Sequence, residues 1–272
     1  MNILETIIAQ KRKEVHEKKR SMDIDSLMSS STAFGRKCLS LKDALTSDGA
    51  TGIIAEFKRR SPSKGWIHEG IGISEVVPFY EFNGASAISV LTDKEFFGGD
   101  IEELKLARGD VRIPLLRKDF MVDDYQLYEA KSYGADVILI IAACLSRKAA
   151  RNLARKAKEL GLETLLEVHV EEELDHITDD IDIIGVNNRN LGTFETDIKT
   201  SIRLIKYMPL NKPVISESGI SNVDTILKLR DAGFEGFLIG ETFMKEKSPA
   251  IAFADFMKSL AQGNKLTQHS NE

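Results

Sequence analysis

Ammonium and carboxylate side chains recur in this chain at the ends of short apolar runs. Glu56 and Lys58 close Ile53-Ile54-Ala55, and Lys118-Asp119 follows Leu115-Leu116-Arg117. Glu167 and His169 close Thr164-Leu165-Leu166, Asn187 and Arg189 follow Ile183-Ile184-Gly185-Val186, and Glu217-Ser218-Gly219 follows Val214-Ile215-Ser216. Residues two apart on a strand share a face, so Glu56 with Lys58, Glu167 with His169, and Asn187 with Arg189 point in pairs. Charges of both signs in one enclosed space cost stability unless they pair or act on a ligand. Such a mixture suits general acid–base chemistry, because desolvation and neighbouring charges bring Lys and Glu toward working pH. A lysine in that setting could equally form a Schiff base with a carbonyl substrate. A single charged strand end reads as a solvated terminus or a structural ion pair, whereas five in order point to one converging site.

The elements that must position these residues alternate. Strands are expected at 52–58, 86–91, 113–117, 136–141, 163–168, 181–186, 213–217 and 236–240. Amphipathic stretches lie between them at 74–83, 101–108, 124–133, 146–160, 171–177, 197–207 and 222–232, with an eighth at 248–260. Gly84, Gly134, Gly161 and Gly233 sit where helices should stop, since glycine tolerates the left-handed conformation of a C-terminal cap. Eight strand–helix units predict an α/β fold, a single (β/α)8 TIM barrel, with a doubly wound open sheet as the alternative. In a barrel, the polar strand ends converge on one mouth. Residues 3–20 form an expected helix with Ile3, Leu4, Ile7, Ile8 and Val15 near one face, 21–33 a polar connector, and 34–45 a second short helix. The expected organisation is therefore an N-terminal helical extension over 1–48 that caps the barrel, the barrel over 49–262, and a polar, frayed tail over 263–272.

A length of 272 residues suits one barrel domain, and 42% hydrophobic residues supply its core. The net charge of −5 gives no electrostatic reason to expect nucleic acid or an anionic membrane. Cys38 and Cys144 are far apart without metal-ligand spacing and read as reduced thiols. No signal core appears at the N-terminus, and no run reaches the roughly 18 apolar residues of a membrane span. A cytoplasmic protein is expected. His16, His68, His176 and His269 lack metal spacing, and no dinucleotide fingerprint or P-loop is present. Asp123-Asp124 and Glu171-Glu172-Glu173 read as helix starts, where carboxylates oppose the dipole.

Two loops suggest the ligand. Lys58 to Ile73 exceeds the usual βα connection of about 2–6 residues, and Ser61-Pro62-Ser63-Lys64-Gly65-Trp66 reads as a lid or binding element. Ser218-Gly219 follows the seventh strand and Gly240 the eighth, where barrels frequently bind phosphate through backbone N–H groups.

Taken together, Ile54-Ala55-Glu56-Phe57-Lys58-Arg59-Arg60-Ser61-Pro62-Ser63 resembles the first-strand signature of the indole-3-glycerol phosphate synthase family. Leu116-Arg117-Lys118-Asp119-Phe120, Leu166-Glu167-Val168-His169, Gly185-Val186-Asn187-Asn188-Arg189-Asn190-Leu191 and Ser216-Glu217-Ser218-Gly219-Ile220 resemble its later motifs in the same order. The resemblance covers nearly the whole chain. It implies a tryptophan-pathway lyase that converts 1-(2-carboxyphenylamino)-1-deoxyribulose 5-phosphate to indole-3-glycerol phosphate with loss of carbon dioxide and water. It implies no metal and no organic cofactor.

By the same resemblance Lys118 is the general acid, and Lys58 contacts an acidic end of the substrate and shares in proton donation. Glu167 is the base of the later step, and Glu56 stabilises positive charge on the anilinic nitrogen. Asn187, Arg189, Glu217 and Ser61 bind substrate, while Ser218, Gly219 and Gly240 bind its phosphate. Two positions depart from the family pattern: Glu241 stands where some members carry Ser, and Asp100 where a small hydroxyl residue is common. The expected partner is a small phosphorylated molecule, and the expected assembly a monomer or weak homodimer, with association with other tryptophan-pathway enzymes left open. A Schiff-base phosphosugar barrel and a catalytically silent ligand-binding barrel are the competing readings.

Overall fold

Eight short, almost wholly buried apolar runs alternate with helices along the chain, as strands covered on both faces require. In the computed structural model, which describes the backbone of residues 3–269 and the side chains of residues 3–264, these runs close into a parallel barrel. The strands are β1 (Ile53–Phe57), β2 (Ala87–Leu91), β3 (Leu115–Lys118), β4 (Val137–Ile141), β5 (Glu163–Val168), β6 (Ile183–Asn187), β7 (Val214–Glu217) and β8 (Gly236–Ile239). Each pairs with the next, and β8 returns to β1 with Ile53 opposite Phe237. The open-sheet alternative is excluded by that last pairing.

Strand alternation separates two cores. Ile54, Leu116, Leu139, Leu165, Ile183, Ile215 and Leu238 fill the barrel interior, whereas Ile53, Phe57, Ile138, Leu166, Ile184 and Phe237 face the helical layer. Further along the same inward faces the apolar residues give way to Glu56, Lys118, Glu167, Asn187 and Glu217, so the polar ends form the top layer of the interior.

Three helices precede the barrel: α1 (Ile3–Ser21), α2 (Ile24–Ser29) and α3 (Leu41–Thr46). They reach both ends of it. Ile3, Leu4 and Ile7 of α1 line the cavity at the polar mouth. Leu41 and Leu45 of α3 pack into the opposite end of the interior core. There Glu163 accepts hydrogen bonds from Ser40 Oγ and the Leu41 and Lys42 N–H groups at 2.6–3.0 Å. The expected connector 21–33 thus contains a helix, started by Asp23 capping Ser26 N–H at 2.7 Å. The expected helix 34–45 begins only at Leu41, where Ser40 caps Asp43 N–H.

The helices after the strands are α4 (Val77–Phe82), α5 (Lys94–Phe97), α6 (Ile101–Asp110), α7 (Tyr125–Ser132), α8 (Arg147–Glu159), α9 (Lys199–Leu204), α10 (Val223–Asp231), α11 (Glu241–Met244) and α12 (Pro249–His269). The stretch expected as a helix over 171–177 is a 3₁₀ helix, Glu171–His176. Its backbone bonds reach back three residues, from Glu173 N–H to Val170 O at 3.2 Å and from Ile177 N–H to Leu174 O at 2.9 Å, and its three leading glutamates only begin that turn. Asp123 does start α7, accepting from Tyr125 N–H at 2.9 Å. Helix α12 continues past the expected end at residue 260 to His269, so the tail expected to fray from residue 263 is helical that far; 270–272 lie outside the described residues. Asp100, the departure noted above, caps α6 by accepting from Glu102 N–H at 3.0 Å, which a hydroxyl residue would also do. Among the described residues no helix is long and apolar enough to cross a membrane.

Candidate active site

The inward polar residues surround a cavity of about 530 Å³ at the carboxyl ends of the strands. Lys118, the last residue of β3, rises into its floor. Its Nζ lies 2.6 Å from Glu217 Oε2 and 3.1 Å from Glu167 Oε2. Burial would pull this ammonium's pKa down, but Glu217, Glu167 and Glu56 more than offset it and hold the group well above the usual lysine range. Lys118 is therefore a cation, with a proton to donate.

The two carboxylates that flank it differ. Burial pushes Glu167 up, yet Lys118, His169 and Asn187 together hold it well below the ordinary carboxylate range. Burial dominates at Glu217, whose carboxyl is pushed up to about 7 despite Lys118, with Glu167 and Glu56 adding repulsion. Glu217 Oε1 is buried without a hydrogen-bond partner. Lys118 and His169 thus favour the anion at Glu167, whereas burial pushes Glu217 toward its neutral form.

Two glycines make room for these side chains. A Cβ on Gly185 would stand 2.2 Å from Glu217 Oε1, and a Cβ on Gly240 would stand 2.7 Å from Glu56 Oε1. Neither position tolerates a side chain without moving a charged group. Glu56 Oε1 pairs with Lys58 Nζ at 2.7 Å, as the two-residue spacing implied.

His169 extends the cluster outward. Its Nε2 lies 3.2 Å from Glu167 Oε1 and its Nδ1 lies 3.2 Å from Glu173 Oε2. The Nε2 contact has ion-pair distance but not hydrogen-bond alignment. Burial lowers the imidazole, but the two glutamates outweigh it and push it up to about 10, so the ring is an imidazolium between two carboxylates.

Ser61, Asn187, Arg189, Ser218, Gly219 and Gly240 also line the cavity. Ser218 and Gly219 both have positive φ, 65° and 77°. For Ser218 this is a strained conformation, which leaves the backbone turned sharply at the cavity edge. Arg189 donates its N–H to Asn187 Oδ1 at 3.0 Å and its Nη1 to Ser63 Oγ at 3.3 Å. The long loop after β1 folds into a two-stranded hairpin, Arg60–Ser61 with Gly65–Trp66. Its Lys64 pairs with Glu241 after β8, and Glu241 Oε2 lies 3.7 Å from Arg189 Nη2. The departure at Glu241 therefore links three loops across the mouth, and Lys64 helps hold its carboxyl below the usual range, although burial opposes this.

The structure thus brings every expected site residue to one mouth; Glu217 enters through its contact with Lys118. Sequence reasoning missed Lys11. This side chain is buried on α1, 2.8 Å from Asp93 Oδ2 and 3.0 Å from Asp119 Oδ1. Asp119 also accepts from buried Arg117, whose Nη2 meets Glu129 at 2.7 Å, and Glu129 pairs with Lys18 of α1. The signal was present: Lys11 lies four residues from Ile7 and four from Val15, on the apolar face of the helix. The apolar wall formed by Phe97, Phe120, Leu139, Ile141 and Leu191 was missed too, because helix and loop residues reach it from distant parts of the chain. Among the described residues, no group of three or more His, Cys, Asp or Glu side chains could hold a metal ion.

The chain is similar to known proteins along its length. The family model for indole-3-glycerol phosphate synthase matches residues 4–256. A protein of that name from Bacteroides thetaiotaomicron is 50% identical over 259 residues, covering 95% of this chain and 99% of the relative. One from Thermoanaerobacter pseudethanolicus is 41% identical over 262 residues, covering 96% and 99%. Among solved structures, tryptophan synthase subunit alpha from Legionella pneumophila superposes with a TM-score of 0.61 at 13% identity, covering 82% of this chain and 97% of that one. The 3-hexulose-6-phosphate synthase from Salmonella typhimurium superposes with a TM-score of 0.60 at 13% identity, covering 78% and 99%. At these identities the structural likeness speaks to the barrel fold alone.

Proposed function

The chain belongs to the indole-3-glycerol phosphate synthase family, and on that premise we propose how its own residues close an indole ring. The substrate is 1-(2-carboxyphenylamino)-1-deoxyribulose 5-phosphate, and the products are indole-3-glycerol phosphate, carbon dioxide and water. The enzyme is a carboxy-lyase acting in the cytoplasm in tryptophan biosynthesis. The observation that carries the reading is Lys118, held as an ammonium between Glu167 and Glu217 on the floor of a cavity with an apolar wall.

The ring carbon bearing the substrate carboxylate attacks the ketone carbon, and Lys118 gives its proton to the ketone oxygen. Positive charge spreads to the anilinic nitrogen, where Glu56 stabilises it. Loss of carbon dioxide returns the bonding pair to the ring. The new hydroxyl then departs as water with a second proton, and Glu167 removes a proton from the adjacent methylene to complete the indole. Two protons are delivered and one is recovered, which matches conversion of a carboxylate to carbon dioxide. Lys58, paired with Glu56, binds the substrate's carboxylate end and shares in proton donation. Asn187, Arg189, Glu217 and Ser61 orient the substrate, and the turned backbone at Ser218 and Gly219, with Gly240 beside it, receives the phosphate.

A Schiff base on Lys118 requires a neutral amine. The three glutamates around it favour the opposite state. Borohydride with substrate should therefore leave Lys118 unmodified. The deciding experiment is indole fluorescence from the carboxyphenylamino-deoxyribulose phosphate, with Lys118→Ala alongside. We expect turnover by the wild type and a fall of about 10²–10⁴-fold in the variant with folding preserved. Binding without turnover by the wild type would identify a silent barrel, and near-normal turnover by the variant would remove Lys118 from the acid role.

A further inference from the structure

The reaction proposed above consumes one proton per turnover, and Lys118 must recover a proton before it can serve again. Substrate filling the cavity covers Lys118 from the mouth. The Lys118 side chain is 13% exposed even without it, while Glu167 is at 5% and Glu217 at 1%. One chain of titratable atoms leaves this cluster on the side away from the cavity. It runs from Lys118 Nζ to Glu167 Oε2 at 3.1 Å, from Glu167 Oε1 to His169 Nε2 at 3.2 Å, and from His169 Nδ1 to Glu173 Oε2 at 3.2 Å. Glu173 belongs to the 3₁₀ helix after β5 and is more exposed than His169.

We propose that His169 and Glu173 conduct protons from solvent to the buried Lys118–Glu167 pair. The inference rests on the acid and base roles given above to Lys118 and Glu167. After Lys118 protonates the ketone oxygen it is a neutral amine. Its positive charge no longer holds Glu167 anionic, and Glu167 Oε1 takes the Nε2 proton of the His169 imidazolium after a small turn of the ring. Rotation of the carboxyl passes that proton to Lys118. A half-turn of the now neutral imidazole sets its bare nitrogen toward Glu173, which supplies a proton drawn from water. Lys118 then protonates the departing hydroxyl. The proton that Glu167 finally takes from the methylene resets Lys118, so exactly one proton has entered from solvent through Glu173.

The other groups near the ring fit this role. His176 is occupied by backbone oxygens, with its Nδ1 at 3.1 Å from Glu173 O and its Nε2 at 3.0 Å from Leu145 O. The Cys144 thiol stands close enough to feel the charges of Glu167 and Glu173, and burial keeps it protonated and neutral. Asn187 touches Glu167 but does not titrate. No cation flanks His169 among its ion-pair contacts; both are carboxylates.

The test compares wild type, His169→Ala and Glu173→Gln at saturating substrate over a series of imidazole concentrations at constant pH. Wild-type kcat should not respond to imidazole. His169→Ala should lose about tenfold or more in kcat with KM changed by less than about twofold, and imidazole should restore part of the loss. Glu173→Gln leaves the ring and Glu167 in place; it should lower kcat severalfold and also respond to imidazole. It decides the question alone if His169→Ala does not fold. Wild-type kcat in Glu173→Gln, or a loss that imidazole does not restore in either variant, overturns the relay and assigns these residues to holding Glu167 in position. No turnover by the wild type overturns the reaction, and the relay with it.

Discussion

Lys118 shares its ammonium between two glutamates, and the space for one of them comes from the absence of a side chain on the neighbouring strand. Gly185→Ala would place a Cβ 2.2 Å from Glu217 Oε1. The carboxyl is buried, so it cannot swing into water. We expect a loss of about 1–3 kcal/mol in urea unfolding, as for other overpacked interiors, together with a fall in kcat as Glu217 is driven from Lys118. Unchanged kcat would show that Glu217 does not position the acid. His169 makes a second, pH-dependent contribution. Its folded pKa, pushed up to about 10, exceeds the unfolded imidazole value near 6.5. The folded state therefore binds the proton more tightly, and stability from this group is fully present below about pH 6.5 and lost as pH rises toward 10. Denaturant unfolding across that window should show a falling stability that is flatter in His169→Gln. Equal slopes in the two proteins would show that the imidazolium is not stabilised by Glu167 and Glu173.

Among the elements, α1 stands out because it contributes both wall and clasp. Ile3, Leu4 and Ile7 line the cavity, and Lys11 fastens the helix to Asp93 and Asp119 beside the residue that bears the acid. Lys11→Met would leave buried Asp93 without its cation and Asp119 with Arg117 alone. Breaking a buried pair by removing one partner costs about 3–5 kcal/mol, more than the new methionine packing recovers. We expect that loss of stability, and a raised KM because the apolar wall moves with the helix. A stable variant with unchanged KM would mean that α1 is held by its hydrophobic face alone. The Lys64–Glu241 link across the mouth is different in kind. Both side chains are substantially exposed, at 54% and 30%, and such pairs contribute about 0–1 kcal/mol. That suits a loop that must open for substrate better than a fixed structural tie.

At the scale of the whole molecule, the N-terminal segment touches both ends of the barrel, and the two ends divide the labour. Chemistry gathers at the carboxyl ends of the strands, where inward residues are charged. The opposite end is closed by Leu41 and Leu45 and by the hydrogen bonds of Glu163. Leu41 is fully buried, so Leu41→Ala should cost about 2–5 kcal/mol while kcat in the folded fraction stays near wild type. A matched fall in kcat would show that the plug and the mouth are coupled through the interior core.

The barrel was legible in the sequence because the strand and helix periods alternate eight times, and a right number of parallel units with polar ends has few other solutions. The pairing of Glu56 with Lys58 and of Glu167 with His169 followed from the two-residue repeat of a strand alone. The 3₁₀ form of the segment at 171–177 and the late start of α3 were not legible, because a stretch of good helix formers does not say how its neighbours constrain its backbone. Nor could the sequence say that Lys11 is buried against Asp93 and Asp119, residues more than eighty positions away, or that Gly185 exists to admit Glu217. Local periodicity decided which residues face inward, since it depends only on backbone geometry. Which carboxylate burial pushes toward its neutral form and which helix lines the mouth were decided by tertiary structure, because burial and distance between charges arise only when the barrel closes.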